Sequence, residues 1–332
     1  MLRKGHIMAI HFIKSGLQTS IQDGGRRGLM HQGVSTSGAM DTTAMAMANW
    51  LVGKAQTSTL FEFTLIGPTI EFSQSLYISI TGAKFELTLN NLPVSSYQTI
   101  HVKSGDKLNF GKRLQGARAY MAFTGELLFE NKVLQDVLGS KATHLTAGYG
   151  GINGKVIRDN THFSINSTDI KSQTSLRIID HKNDLNPGNN CFLRCVKAPE
   201  SSLFNAAQKE SFYQQTFSIN PNSNRMGLRL EGEPINFHSP LNITSSGLIQ
   251  GSIQIPPSGL PIISSVDGQT IGGYPRIAVV ISADLAKLAQ LAPGDNVIFV
   301  NVSQEQALTI LRNKQQQLKM SLDNTATLPA RI

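Results

Sequence analysis

Several side chains that could recognise a ligand are concentrated near the end of the segment Gly251–Pro275. Glycine lets backbone approach a ligand closely, and short polar side chains fix its orientation. Apolar, strand-like runs flank the segment on both sides. The pattern predicts a ligand-binding loop, with a tight turn made of ordinary turn residues as the alternative. Nine residues contain an acid, an amide, a hydroxyl, a glycine pair and a tyrosine: Asp267, Gln269, Thr270, Gly272, Gly273 and Tyr274.

The segment Asn224–Leu230 contains a second candidate ligand site, in which one arginine lies two residues before a glycine and another lies two residues after it. On a strand, Arg225, Gly227 and Arg229 would share one face. A small residue between two guanidinium groups leaves room for a carboxylate or phosphate, which arginine binds with two hydrogen bonds. The alternative is a pair of solvated arginines on an exposed sheet. The positions predicted to face the core are apolar: Met226, Leu228 and Leu230.

A third polar cluster lies between Gln22 and Asp41, where five glycines predict an extended loop. Its hydroxyl groups lead into the start of a predicted helix, where backbone N–H groups favour an anion. Asp41 could instead be a plain helix cap, and Asp23 with Arg26 a structural ion pair. The order of residues does not match the serine-hydrolase elbow. The titratable or nucleophile-like members are Asp23, Arg26, His31, Ser35, Ser37 and Asp41.

The sequence lacks the common cofactor and metal motifs. It has no P-loop, no dinucleotide-binding glycine pattern, no H-E-x-x-H and no paired-cysteine metal site. The two cysteines, Cys191 and Cys195, have no histidine nearby and do not make a zinc pattern. We therefore expect no metal site on this chain.

Composition restricts the class of protein. The chain has 332 residues, of which 40% are hydrophobic and 16% charged, which excludes intrinsic disorder. The net charge of +8 comes from scattered residues, which argues against nucleic-acid binding and favours small anionic ligands. The N-terminus lacks the apolar core of a signal peptide, no apolar run could span a membrane, and cysteine is scarce. These features predict a cytoplasmic protein with no membrane contact.

Short alternating or β-rich runs separated by turn residues predict mostly antiparallel β structure, arranged as a barrel or sandwich. A second strand-rich block runs from Phe217 to Val302. In the first block the predicted strands are Thr69–Phe72, Leu76–Thr81, Phe85–Leu89, Lys107–Phe110 and Ala117–Phe123.

Few helices are predicted. Asp41 caps Thr42–Val52, which Gly53 ends. Ser303 and Gln306 form a capping box for a C-terminal helix. The remaining predictions are a helix over Ser201–Gln215, a helix over Asp284–Leu291 capped by Ser282, and a loop over Asp180–Asn190.

At these clusters the chain resembles the allophanate hydrolase subunit 2 family, which is also the family of the C subunit of 5-oxoprolinase. It is also similar to one half of the carboxyltransferase region of urea amidolyase. The first loop departs from the family pattern at Gly24 and Arg27. The segments that carry the resemblance are Gly16–Asp23 with Gly25 and Arg26, Gly33–Asp41, Ala48–Gly53, Glu62–Pro68, Thr81–Ala83, Asn224–Leu230, Gly251–Pro275, Val280–Leu285 and Ala289–Gly294.

The resemblance implies a mostly-β fold with a few helices, built as two β-barrel-like subdomains of cyclophilin-like type. We expect an N-terminal subdomain over 8–198, a C-terminal barrel over 199–302, and a helix and tail over 303–332. It also implies ATP-dependent opening of 5-oxoproline to L-glutamate, with ATP and Mg²⁺ bound at the level of a complex. The implied partners are a B-type subunit, which resembles allophanate hydrolase subunit 1, and in many cases an A subunit.

For that reaction we expect catalytic roles for Asp267, Gln269 and Asp41. Asp267 or Asp41 would accept a proton or contact the Mg²⁺ that the complex brings with ATP, and Gln269 would donate hydrogen bonds. Substrate or anion binding is expected of Arg225, Arg229, Thr270, Gly272, Gly273, Tyr274, Arg26 and Ser37.

Two alternative functions stay open. One is biotin-dependent carboxyl transfer of the urea or allophanate type, although the chain has no M-K-M biotinylation site and no ATP-grasp region. The other is a regulatory subunit without chemistry of its own, which would bind a B-type partner that inhibits a kinase.

Overall fold

The structure is a computed structural model and describes residues 8–166, 175–179, 190–236, 243–323 and 326–329. The chain divides into two compact units. The first comprises residues 1–25, 37–182 and 319–332, and the second comprises residues 26–36 and 183–318. The predicted domain boundaries stay a prediction. Among the described helices, none is both long and apolar enough to cross a membrane.

Numbered in chain order, the elements of the first unit are β1 (Met8–Lys14), β2 (Gln18–Gln22), α1 (Thr42–Leu51), β3 (Leu60–Thr64), β4 (Thr69–Phe72), β5 (Leu76–Leu89), β6 (Leu92–Pro93), β7 (Thr99–Val102), β8 (Lys107–Phe123), β9 (Glu126–Phe129), β10 (Lys132–Val133), β11 (Thr161–Asn166), β12 (Ser175–Ile178) and β22 (Ala326–Pro329). Most of the unit is an eleven-stranded sheet in the order β10-β9-β11-β1-β4-β8-β3-β2, with β5 joined to β6, β7 and β8. β12 and β22 form a separate pair.

The second unit contains a closed seven-stranded barrel in the order β13-β20-β17-β18-β15-β14-β21. A short ladder of β16 with β19 lies outside the barrel sheet. The elements are β13 (Asn190–Lys197), α2 (Ala206–Gln214), β14 (Phe217–Ile219), β15 (Gly227–Glu231), β16 (Ser246–Gly247), β17 (Ser252–Gln254), β18 (Ile262–Ser264), β19 (Ile271–Gly272), β20 (Arg276–Val280), α3 (Leu285–Ala289), β21 (Asn296–Asn301) and α4 (Gln304–Asp323), of which residues up to 318 belong to this unit.

Each unit has its own apolar core. In the first, Phe61 packs against Phe12 and Phe163, with ring centroids 5.1 and 5.3 Å apart. In the second, Phe212 stacks on Phe299 at 4.5 Å. The predicted mostly-β class with a few helices and barrel-like subdomains is therefore confirmed, because alternating apolar positions fill two separate interiors.

The predicted short strands of the first block are in fact parts of two long strands. Leu76–Thr81 and Phe85–Leu89 belong to β5, while Lys107–Phe110 and Ala117–Phe123 belong to β8. The β5–β8 register shifts between Gly82 and Phe85 and again before Leu87. Such irregularities bend a strand without ending it, which explains why separate strands were predicted.

Two of the helix predictions were wrong in their details. In place of one helix over Ser201–Gln215, a 3-10 helix (Pro199–Leu203) is followed by α2, which Asn205 caps with a capping box. Ser282 makes no cap; it begins a 3-10 helix that precedes the short α3. The loop predicted over 180–190 lies outside the described residues except for Asn190, which begins β13.

The other two helix predictions are confirmed. α1 begins after Asp41 and ends before Gly53, whose φ is 73°. At α4 the amide of Gln306 donates to Ser303 Oγ at 3.1 Å, and the amide of Ser303 donates to Gln306 Oε1 at 2.9 Å.

Candidate functional site

The polar loop between β18 and β20 is built around a buried ion pair in the second unit. Arg225 Nε donates to Asp267 Oδ2 at 2.8 Å, and Nη2 donates to Oδ1 at 3.1 Å. The amide of Asp267 also donates to the carbonyl of Arg225 at 2.9 Å. The two side chains expose only 3% and 2% of their surface. Because both carboxylate oxygens accept from one guanidinium, the pair fixes the base of the loop in a defined geometry.

The predicted arginine clamp is wrong in its geometry. The strand ladder begins only at Gly227, which pairs with Ser264, so Arg225 precedes β15. The reason is local: Asn224 Oδ1 accepts the amide of Met226 at 2.8 Å, which turns the chain before the strand. Arg225 is therefore buried against Asp267, Met226 is exposed, and Arg229 is exposed on the strand. Leu228 and Leu230 face the core as predicted.

The rest of the loop has a buried side and an exposed side. Thr270 is buried, and its carbonyl accepts the amide of Leu248 at 2.8 Å. Gln269, Ile271 and Tyr274 are exposed. The loop therefore presents one amide, one phenol and one apolar side chain to solvent above the fixed ion pair.

Gly272 is a position where backbone and side chains approach closely. A Cβ placed there would lie 2.6 Å from Gln254 Nε2 and 3.4 Å from Gln269 Nε2. Gln254 Nε2 also donates to the carbonyl of Tyr274 at 3.4 Å. Gly273 is less crowded, since Ser245 Oγ is 3.3 Å from its added Cβ. A side chain at Gly272 would displace amide donors that the loop holds together.

Arg276 and Glu200 support the loop and were not identified from the sequence. Arg276 Nε donates to Glu200 Oε2 at 2.6 Å, and Nη2 donates to Glu200 Oε1. Nη1 also donates to the carbonyl of Gly247 at 2.6 Å, which ties the β16–β19 ladder to the barrel. The hydrogen bonds from Arg276 hold the pKa of Glu200 below its ordinary value. The sequence signal that could have identified Arg276 is its place as an isolated arginine at the start of an apolar strand.

A second group of polar residues surrounds the start of α1 in the first unit. Asp41 Oδ1 accepts the amide of Ala44 at 2.9 Å, so the helix-cap interpretation of Asp41 is confirmed. The amide of Asp41 donates to Tyr120 Oη at 2.8 Å, and the amide of Met40 donates to Glu62 Oε2 at 3.0 Å. Ser37 is buried with a φ of 53°. Glu62 and Tyr120 were not identified from the sequence.

The phenols near this helix stay neutral at ordinary pH. Burial, and then the charge of Glu62, raises the pKa of Tyr120 well above its usual value. Burial, and then the charge of Asp41, raises the pKa of Tyr97. Glu62 lies 3.9 Å from Arg118, measured from Oε1 to Nε. Neutral phenols can donate hydrogen bonds, but these two cannot serve as bases near neutral pH.

Asp23 has a structural role. Its Oδ1 accepts the amide of Gly25 at 2.8 Å and the hydroxyl of Ser140 at 2.6 Å, and its Oδ2 accepts the amide of Lys141 at 2.6 Å. Arg26, which is buried, belongs to the second unit. Of the predicted site residues, the structure brings together Arg225, Asp267, Thr270 and the glycines after it, and places Asp41 and Ser37 in the other unit. Their catalytic and binding roles stay predictions.

Comparison with known proteins shows the family. Residues 32–301 match the carboxyltransferase domain, subdomain A and B. The chain is 33% identical over 318 residues to the C subunit of 5-oxoprolinase from Escherichia coli, covering 95% of this chain and 99% of that protein. It is 33% identical over 299 residues to the C subunit of 5-oxoprolinase from Haemophilus influenzae, covering 90% and 93%.

A crystal structure of K. lactis urea amidolyase is also similar. The TM-score is 0.84 at 29% sequence identity, and the match covers 94% of this chain. The chain spans only 20% of the length of that protein. The resemblance seen in the sequence motifs is confirmed, and the chain belongs to the family of the carboxyltransferase domain, subdomain A and B.

Proposed function

We propose that this chain is the C subunit of an ATP-dependent 5-oxoprolinase, which opens 5-oxoproline to L-glutamate. The observation that carries the proposal is its 33% identity to the C subunit of the E. coli enzyme, over 99% of that protein. The match to urea amidolyase covers a fifth of a much longer chain. The name of the bacterial relatives as subunits supports action within a complex.

The chemistry explains the need for ATP. An amide bond is stabilised by resonance, so its carbonyl carbon is a poor electrophile. Transfer of a phosphoryl group to the lactam oxygen would convert that oxygen into a leaving group. Water could then add to the same carbon, and cleavage of the C–N bond would release the amine and leave γ-glutamyl phosphate. A second water would hydrolyse this acyl phosphate to glutamate and phosphate. We assign activation to this chain with a B-type partner and hydration to an A subunit.

The loop of the second unit would contact the lactam. Exposed Gln269 and the backbone amide of Gly273 would donate hydrogen bonds to the oxygen that gains charge. Gly272 pairs with Ser246 in the β16–β19 ladder and would leave room for the ligand beside it. Exposed Arg229 would attract the substrate carboxylate, and Tyr274 would pack against the ring. Arg225 would position the loop through Asp267 and would not bind substrate itself.

Magnesium does not fit the predicted acids of this chain as they stand. Both oxygens of Asp267 already accept hydrogen bonds from Arg225. Asp41 Oδ1 caps α1. In the described part of the chain, no three His, Cys, Asp or Glu side chains form a group that could hold a metal ion. We therefore assign no step through magnesium to this chain and place ATP with its metal at the level of the complex.

A carboxyltransferase role is the second candidate, because the chain belongs to a family of that name and matches urea amidolyase in structure. In that case a biotin carrier and a carboxylase would have to come from other proteins.

The proposal is tested by reconstitution. The chain is co-expressed with B-type and A-type subunits, and glutamate is measured after addition of 5-oxoproline and ATP. We expect glutamate in the full mixture and none when this chain is left out. Glutamate formation at an unchanged rate without the chain would overturn the proposal.

A further inference from the structure

A cavity in the first unit has no role in the proposed reaction. Its volume is about 240 Å³, and it lies beside the start of β9. Its wall carries two lysines and one acid, Lys54, Lys141 and Glu126, together with the apolar side chains of Leu127 and Leu134. Cavities that hold drug-sized molecules are larger, so this one suits a smaller ligand.

Lys54 is a partly buried cation held by neutral groups. Its Nζ donates to the carbonyls of Thr59 and Gly125 at 3.4 and 3.3 Å, and lies 4.5 Å from the centre of the Phe123 ring. Across residues 8–323, with the gaps given above, no carboxylate lies within 4.0 Å of this ammonium group. Lysines withdrawn from water are ordinarily paired with an acid, because desolvation of an isolated charge is unfavourable.

The single acid of the cavity pairs with the other lysine. Glu126 Oε1 lies 3.6 Å from Lys141 Nζ. Two ammonium groups therefore share one carboxylate, and the cavity carries one excess positive charge. Burial first, and then the charge of Lys141, lowers the pKa of Lys54 to about 8, while Glu126 acts in the opposite direction. A bound anion would relieve this repulsion.

We propose that the cavity binds a small organic carboxylate, with its oxygens between the ammonium groups of Lys54 and Lys141. Its short apolar body would lie against Leu127 and Leu134. The two carbonyls that hold Lys54 keep its ammonium group in place, so the site is partly formed before the ligand arrives. This site is independent of the 5-oxoprolinase activity.

The test measures labelling of individual lysines in the folded full-length chain by the uncharged N-hydroxysuccinimide ester of acetic acid, followed by mass spectrometry. The probe is sodium propionate. Propionamide has nearly the same shape without the charge, and sodium chloride controls for ionic strength. Exposed Lys112, outside the cavity, is the internal reference.

We expect propionate to slow the labelling of Lys54 about threefold at twice its dissociation constant, by simple occupancy. Propionamide and chloride should leave the rate unchanged, and Lys112 should label equally in all four conditions. In the variant Lys141→Gln, protection of Lys54 should weaken, whereas in the matched variant Lys112→Gln it should persist. Circular dichroism establishes that both variants are folded.

Three results would overturn the proposal. Propionate could fail to protect Lys54, propionamide could protect it equally well, or the Lys141→Gln variant could retain full protection. The first would show that no carboxylate binds, the second that charge is not recognised, and the third that Lys141 takes no part.

Discussion

At the scale of single residues, the Arg225–Asp267 pair is the feature of the polar loop with the clearest energetic consequence. Asp267→Asn would leave a buried guanidinium without its counter-charge, which should lower the free energy of unfolding by about 3–5 kcal/mol. The double variant Arg225→Met with Asp267→Leu removes both charges and should lose less stability than Asp267→Asn. Urea unfolding of the three chains measures this, and a single variant as stable as the original would contradict it.

The two cysteines should be inert in the folded chain. Burial raises the pKa of Cys191 to about 11 and raises the pKa of Cys195 still further. The thiolate is the reactive form, so little of it exists near neutral pH. We expect iodoacetamide at pH 8 to leave both thiols unmodified until urea unfolds the chain. Rapid modification of Cys195 under native conditions would show that its surroundings are not those described.

At the scale of elements, α1 is fixed to the sheet through its own carbonyl groups. The hydroxyls of Ser79, Thr81 and Thr99 donate to the carbonyls of Ala48, Ala44 and Leu51 at 2.6 to 2.7 Å. Such bonds set the position of the helix, and with it the position of Asp41.

The cap of α1 gives a test that separates stability from catalysis. Asp41→Ala should lower the free energy of unfolding by about 1 kcal/mol, and Asp41→Asn by less, because asparagine also caps helices well. Thermal unfolding measures the change in stability, and the rate of glutamate formation by the reconstituted complex measures any change in catalysis. If Asp41→Asn keeps full stability and full activity, Asp41 is a cap and the predicted catalytic role is wrong.

A histidine pair across β1 and β11 should make stability depend on pH. His11 and His162 stack with ring centroids 4.0 Å apart. Partial desolvation beside His11, and then the charge of His11, lowers the pKa of His162 below its usual value of 6.5. The unfolded chain therefore binds a proton at His162 more readily than the folded chain does. The contribution of neutral His162 to the stability of the fold is present above pH 6.5 and is lost as the pH falls below it.

The variant His162→Gln should flatten the fall in melting temperature below pH 6.5. His31→Gln is the matched control, since His31 is exposed in a 3-10 helix. An unchanged pH profile in His162→Gln, or an equal change in His31→Gln, would contradict the interpretation.

Local elements could be predicted from the sequence, and distant contacts could not. Asp41 and the Ser303–Gln306 box act within three residues, so their side-chain types are sufficient signals. The bond between Arg225 and Asp267 joins residues 42 apart, and that between Arg276 and Glu200 joins residues 76 apart. The alternating pattern around Gly227 suggested a strand face for Arg225, but a turn at Asn224 decided its place.

At the scale of the whole molecule, two compact units with separate cores belong to one family by sequence and by fold. The polar loop lies in the barrel unit, whereas the capped helix and the lysine cavity lie in the other. Each of these features can be changed within its own unit, so the variants above test them separately.

One measurement tests the choice of substrate directly. ADP release is followed in the reconstituted complex, with either 5-oxoproline or urea with bicarbonate and biotin as the substrate. We expect ADP release with 5-oxoproline, matched by glutamate, and none above background with urea. ADP release that requires urea and bicarbonate, with no glutamate from 5-oxoproline, would contradict the account and establish carboxyl transfer instead.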